Sequence, residues 1–217
     1  VSYAAPLRSA LLAQVTTHNM FKREIVSKML HILAERDAET RQVLIDVVAR
    51  GPSPLLDAAL GALLPLSLED LDVRQAILPY LSDYSFHFLW LDKDVLSTLA
   101  VEDRAVRAIL LSRLDHPGKA SRSYLISILS ALAADNDVRA RLLLYLGDDA
   151  DEDAPENYVC MEAANALAPL VPHDAEVRAA LLTCMPKQRG IALESMMRAL
   201  QPLMQHDAEV RAALLAY

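Results

Sequence analysis

Ten residues that occur twice constrain the fold of this chain more than any other feature of its sequence. The segment His-Asp-Ala-Glu-Val-Arg-Ala-Ala-Leu-Leu runs from His173 to Leu182 and recurs without a change from His206 to Leu215, 33 residues later. The core of this pattern is an aspartate four residues before an arginine, with mostly apolar residues around the arginine, and it is found along the whole chain. A pattern that returns at such a period is the signature of a tandem-repeat protein, in which each repeat has the same local structure.

Two columns of polar residues mark the repeats. The aspartate column contains Asp37, Asp70, Asp103, Asp135, Asp174 and Asp207, and the arginine column contains Arg41, Arg74, Arg107, Arg139, Arg178 and Arg211. Arg8 belongs to a half repeat in which Ala4 takes the place of the aspartate. The period predicts a half repeat at 3–15 and full repeats at about 20–51, 52–82, 83–114, 115–147, 148–186 and 187–217, all within a single domain, 1–217.

Each full repeat predicts two antiparallel helices. The column aspartate is expected to be the N-cap of the second helix, because its carboxylate accepts hydrogen bonds from the first free amides. Residues one before, three after and four after the arginine are mostly apolar, as in Val177, Leu181 and Leu182, and give that helix a buried stripe. An apolar pattern further upstream, as in Leu167 and Leu170, predicts the first helix. One helix pair cannot bury both of its faces, so neighbours must stack into an all-α solenoid.

Three repeats carry a proline near the end of the first helix, at Pro65, Pro169 and Pro202, where it is expected to bend or end that helix. Together with the Asp-x-x-Val-Arg openings at 70–74 and 174–178, these prolines give the chain its resemblance to the HEAT-repeat family. The resemblance covers nearly the whole chain. It implies a right-handed α-α superhelix of about six and a half helix pairs. HEAT-like arrays often form the sensing or scaffolding part of larger proteins, including signalling NTPases.

In the HEAT-repeat family, a further aspartate six residues before the arginine often helps to form a ladder between repeats. In this chain an acid stands in that column only at Glu35. We therefore expect each arginine to pair with its own column aspartate, one helical turn earlier, or with an acid of the next repeat. An arginine column that is neutralised in this way is expected to be structural rather than a phosphate-binding stripe.

Charge and composition argue against several classes of function. A net charge of −8 opposes binding to nucleic acid, and no uncharged stretch reaches the roughly 18 residues that span a membrane. The first residues lack the pattern of a signal peptide, so we expect none there. Cys160 and Cys184 lie in helical patterns and are expected to be a free, buried pair in a reducing, cytoplasmic compartment. Because the last helix ends without a polar capping repeat, we expect the sequence to be part of a longer protein.

No pattern typical of an enzyme is present. The sequence contains no glycine-rich phosphate loop, no His-Glu-x-x-His and no recognisable nucleophile motif, so we expect no catalytic residue, cofactor or metal. The acidic segment 147–156 begins like a calcium loop, but Ala154 and Cys160 stand where that loop needs glycine and glutamate. We expect a solvated loop, and a role as a docking point for a basic partner stays open.

The sequence therefore favours a non-enzymatic scaffold that binds a protein or peptide along the solenoid surface. The alternative is a HEAT-like enzyme or modification factor that resembles the bilin lyases or the DNA-lesion glycosylases. Candidate partner-binding residues are Tyr80, Arg113 and Tyr145, which stand six residues after their arginines and are expected to be half exposed. These side chains alternatively cover the edge of the core between repeats. Trp90, the only tryptophan, is either a binding anchor or part of a patch that a neighbouring segment covers.

Overall fold

The computed structural model describes residues 3–15, 20–83, 91–115, 119–147 and 156–217. In these residues the chain forms thirteen α-helices and five short 3-10 turns, without a strand, which confirms the all-α class. By its contacts the chain divides into two compact units, Val1–Leu99 and Ala100–Tyr217. None of the helices in the described ranges is long and apolar enough to cross a membrane.

The first unit contains the half repeat and two helix pairs. Its helices are α1 (Ala4–Gln14), α2 (Met20–Arg36), α3 (Ala38–Ala49), α4 (Leu56–Leu63) and α5 (Leu71–Ser82), followed by α6 (Lys93–Glu102), in which the boundary between the units lies. The first helices of successive pairs pack on each other, α2 on α4, and the second helices do the same, α3 on α5. The half-repeat helix α1 packs on α2 and α3.

The second unit continues the same order of helices. It contains α7 (Arg104–Leu114), α8 (Lys119–Leu129), α9 (Asn136–Tyr145), α10 (Glu156–Leu167), α11 (Ala175–Cys184), α12 (Gly190–Leu200) and α13 (Ala208–Leu215). The first helices again stack in sequence, α8 on α10 and α10 on α12. Within each unit, helices therefore pack on the equivalent helix of the next pair and on the helix before or after them in the chain, as expected of a repeat solenoid.

All six column aspartates are helix N-caps, as predicted. In α11, Asp174 Oδ1 accepts hydrogen bonds from the amides of Glu176 and Val177 at 3.0 and 3.1 Å. Each cap residue has an extended backbone, so its carboxylate turns back over the first helical turn. An N-cap of this kind stabilises a helix by about 1 kcal/mol, and it fixes where the second helix of every pair begins.

The prolines end the first helices, as predicted. The α-helix gives way to a 3-10 turn at Pro65–Leu68, Ala168–Leu170 and Gln201–Leu203. A proline has no N–H to donate and its ring clashes with the carbonyl four residues earlier, so it interrupts the α-helical hydrogen bonds and favours a bend or an end of the helix. The turn at Ser130–Leu132 contains no proline, so a proline is not required for this bend.

The interior of both units is aliphatic. The residues three after each arginine are buried in five successive repeats: Leu44, Ile77, Leu110, Leu142 and Leu181. The two cysteines carry thiols rather than a disulfide, as expected. Cys160 is buried, whereas Cys184 is half-buried, so the expectation that both are buried was wrong for Cys184. Cys184 stands six residues after Arg178, in the column at the edge of the buried stripe, where partial exposure is normal.

Candidate functional site

Four of the six column arginines bind the end of the preceding helix in their own repeat. Arg107 donates from Nε to the carbonyl of Ala100 and from Nη2 to the carbonyl of Val101, each at 3.0 Å. The same bonds to the carbonyls seven and six residues earlier are made by Arg41, Arg74 and Arg211. The last carbonyls of a helix have no intrahelical partner and lie at the negative end of its dipole. A guanidinium group donates hydrogen bonds to these carbonyls, and its positive charge is favourable at the negative end of the dipole.

Column arginines also reach the next repeat. Arg41 Nη1 lies 2.9 Å from Asp70 Oδ2, whereas Asp70 Oδ1 accepts the amides of its own helix α5. Equivalent ion pairs, which we call rungs, join Arg107 to Asp135 at 2.9 Å, Arg139 to Asp174 at 3.1 Å and Arg178 to Asp207 at 3.6 Å. The sequence left two partners open for each arginine, its own column aspartate or an acid of the next repeat. In these rungs the partner is the aspartate of the next repeat. A ladder thus forms through the N-cap aspartates, without the family's additional aspartate.

The first rung differs from the others. Arg8 is buried, with Nη1 3.5 Å from Asp37 Oδ2 and Nη2 2.8 Å from Glu39 Oε1. Arg8 Nη1 also donates to Thr40 Oγ1 at 3.3 Å. Thr40 stands one residue before its arginine, in a column that is valine in all five later full repeats. This threonine is the sequence signal for the different rung.

Thr40 makes the carboxyl group of Asp37, the aspartate of the first rung, more acidic. The hydrogen bond from the Thr40 side chain, with that from the Thr40 amide and the charge of Arg8, lowers the pKa of the Asp37 carboxyl, although desolvation opposes this shift. Because the folded pKa is below the unfolded value of about 3.9, the stabilisation is present above that pH and is lost as the pH falls through the folded pKa.

The candidate residues Tyr80 and Tyr145 lie near the C-terminal ends of second helices, and each bonds to the second helix of the preceding repeat. The Tyr145 hydroxyl donates to the carbonyl of Leu114 at 2.6 Å, and the Tyr80 hydroxyl donates to the carbonyl of Val48. Both acceptors stand seven residues after the arginine of the preceding repeat. Both tyrosines are half-buried, as expected, and they connect successive repeats. A role in partner binding stays a prediction.

The expectation for Arg113 was wrong. Its side chain is 6% exposed rather than half exposed. Arg113 stands beside Leu110 and Leu114 on α7, both fully buried, and the methylene groups of an arginine pack readily against such neighbours. The remaining candidate, Trp90, and residues 148–155 of the acidic segment lie outside the described residues.

A groove of about 580 Å³ lies beside the rung between Arg41 and Asp70 in the first unit. Two successive repeats line it, with His31, Glu35 and Arg41 from one and Pro65, Leu66 and residues 69–72 from the next. Arg41 is already bonded to Asp70, and the carboxylates of Glu35, Glu69 and Asp72 are exposed. Leu71, between them, is 60% exposed. The groove therefore combines negative charge with an apolar surface.

The sequence did not predict this groove, because Glu35 and residues 69–72 are one period apart and meet only when the two repeats stack.

Among the described residues, no group of three histidine, cysteine, aspartate or glutamate side chains is arranged to hold a metal ion. Comparison of the chain with protein-family models, with curated proteins and with solved structures finds no match.

Proposed function

We propose that this chain is a HEAT-like, right-handed superhelical scaffold that binds a protein or peptide partner and performs no chemistry of its own. In this proposal it serves as an interaction or sensing segment, including within a larger signalling NTPase. The sequential packing of helix pairs and the repeated rungs support it. Such arrays offer extended surfaces on which a partner is bound at several repeats at once.

The observation that carries the proposal is the groove beside the first full repeat. Its exposed carboxylates favour a cationic group, and Leu71, Leu66 and Pro65 favour an apolar one. A peptide with a lysine or arginine next to a leucine offers both within one turn. The arginine column is unsuited to a polyanion, because the guanidinium groups of the rungs already face carboxylates.

The test uses fluorescein-labelled peptides of about twelve residues that carry an Arg-Leu pair, with Glu-Leu peptides as the matched probe. Anisotropy titration of the whole chain is expected to show binding of the cationic peptide only. The double variant Glu69→Gln, Asp72→Asn is expected to weaken this binding about tenfold, because charge–charge contacts at a partly open site contribute about 1 kcal/mol.

The control variant is Glu176→Gln, Glu209→Gln, which removes two exposed first-turn acids of other repeats and the same total charge. It is expected to leave the dissociation constant unchanged. Equal weakening by both double variants shows that only net charge attracts the peptide, and it contradicts binding in the groove.

A further inference from the structure

One side chain of the groove is not required by the repeat pattern. His31 lines the groove from α2, at the position ten residues before Arg41. The same position in the other five full repeats is held by Leu64, Ser97, Leu129, Ala168 and Gln201. Packing of the repeats therefore does not need an imidazole there. His31 is half-buried and, like the other residues that line the groove, lies in the first unit.

The hydrogen bond of His31 decides which of its nitrogens can bind a ligand. His31 Nδ1 lies 3.1 Å from the carbonyl oxygen of Ala62, in the last turn of α4. A carbonyl oxygen can only accept, so Nδ1 carries the proton and donates it. In the neutral ring, Nε2 is then an acceptor. Because Nδ1 is bound to α4, Nε2 is the nitrogen left for a ligand in the groove.

A guanidinium group already bridges the two repeats that form the groove. Arg41 donates from Nε and Nη2 to the carbonyl of Ala34 in α2, at 3.3 and 3.2 Å, and from Nη1 to Asp70 Oδ2 in the next repeat, at 2.9 Å. A guanidinium group has five N–H donors in a rigid plane, whereas the ammonium group of lysine is a compact charge. The distance between these repeats therefore suits an arginine that has acceptors on both sides.

We propose that His31 makes the groove selective for arginine over lysine in the partner, an inference that rests on the proposed function. The guanidinium group of the partner donates one N–H to His31 Nε2 and others to the carboxylates of Glu69 and Asp72 on the facing repeat. Its methylene groups lie against Leu71, which is 60% exposed. A lysine is attracted by the same carboxylates, but its donors diverge from one nitrogen and leave Nε2 without a bond.

The experiment compares the Arg-Leu peptide with a Lys-Leu peptide of the same length and charge, by anisotropy titration of the whole chain. The unchanged chain is expected to bind the Arg-Leu peptide about tenfold more tightly, the effect of one hydrogen bond from a charged donor. His31→Leu removes both nitrogens and is expected to abolish this preference while the Lys-Leu peptide keeps its affinity. His31→Gln supplies an amide oxygen as acceptor and is expected to recover most of the preference.

The control variant is His206→Leu, which removes an exposed histidine of the last repeat and is expected to leave the preference unchanged. If circular dichroism shows that His31→Leu is unfolded, His31→Ala takes its place, and the comparison of the two peptides on the unchanged chain needs no variant.

Two outcomes overturn the inference alone. They are equal dissociation constants of the two cationic peptides, both raised by Glu69→Gln, Asp72→Asn, and a preference for arginine that His31→Leu retains. In both cases the proposed function stands, because it requires only a cationic group in the groove. Absence of binding by either cationic peptide contradicts the proposed function and the inference with it.

Discussion

Segments 173–182 and 206–215 have the same sequence but different surroundings. Comparing them shows which structural features depend on the segment's own residues and which depend on the adjacent repeats. Their caps agree: Asp174 and Asp207 accept amides at 3.0 and 3.1 Å and have φ of −121° and −123°. Their burial does not agree, since Leu181 is fully buried and Leu214 is half-buried. The start of each helix is therefore set within ten residues, whereas packing energy depends on the repeat that follows.

The largest expected difference between the two segments is in how much a leucine-to-alanine substitution lowers the free energy of unfolding. Leu181→Ala removes a side chain that is enclosed on all sides and is expected to lower the free energy of unfolding by about 3 kcal/mol. Leu214→Ala, in the same sequence context, is expected to cost about 1 kcal/mol, because this side chain is half in water already. Urea denaturation followed by circular dichroism measures both.

The same comparison has an internal control. Ala179→Ser and Ala212→Ser change exposed positions of α11 and α13 and are expected to have equal and small effects. Equal losses for Leu181→Ala and Leu214→Ala show that the two leucines are equally enclosed in solution, which contradicts the difference in burial.

The second prediction concerns the N-caps, where the two segments are expected to behave alike. Asp174→Ala and Asp207→Ala each remove two amide bonds and one rung, and each is expected to destabilise by about 1 to 2 kcal/mol. Asn at either position restores the cap and is expected to recover most of this loss. A difference of more than about 1 kcal/mol between the two alanine variants contradicts the local origin of the cap.

The same division explains what the sequence predicts and what it does not. The N-caps and the prolines act within a few residues, and both were predicted. The choice of Asp70 rather than Asp37 as the partner of Arg41 depends on how closely two repeats stack, so the sequence left both open. The tyrosine bonds to Val48 and Leu114 and the acidic groove likewise form only between repeats.

Arg113 shows the limit of reasoning from columns. It shares its position with Tyr80 and Tyr145, and that position predicted half exposure for all three. The tyrosines are half-buried, but the arginine is buried, which the flexible methylene chain of an arginine permits on an apolar surface. A column fixes the direction of a side chain from its helix, and the side chain's own flexibility then decides its exposure.

The smallest expected difference between the two segments is in the stability lost when the column arginine, Arg178 or Arg211, is replaced by glutamine. Arg178→Gln removes the ion pair with Asp207, whose partners are each about three-quarters buried, and is expected to cost about 0.5 to 1 kcal/mol. Arg211→Gln loses only its bonds to two carbonyls at an exposed site and is expected to cost about 0.5 kcal/mol or less.

Raising the salt concentration from 0.05 to 0.5 M screens the ion pair and leaves the carbonyl bonds nearly unchanged. The cost of Arg178→Gln is therefore expected to fall toward that of Arg211→Gln at high salt. Denaturation of both variants at the two concentrations measures this, and a cost of Arg178→Gln that is independent of salt shows that the rung does not stabilise the stack by its charge.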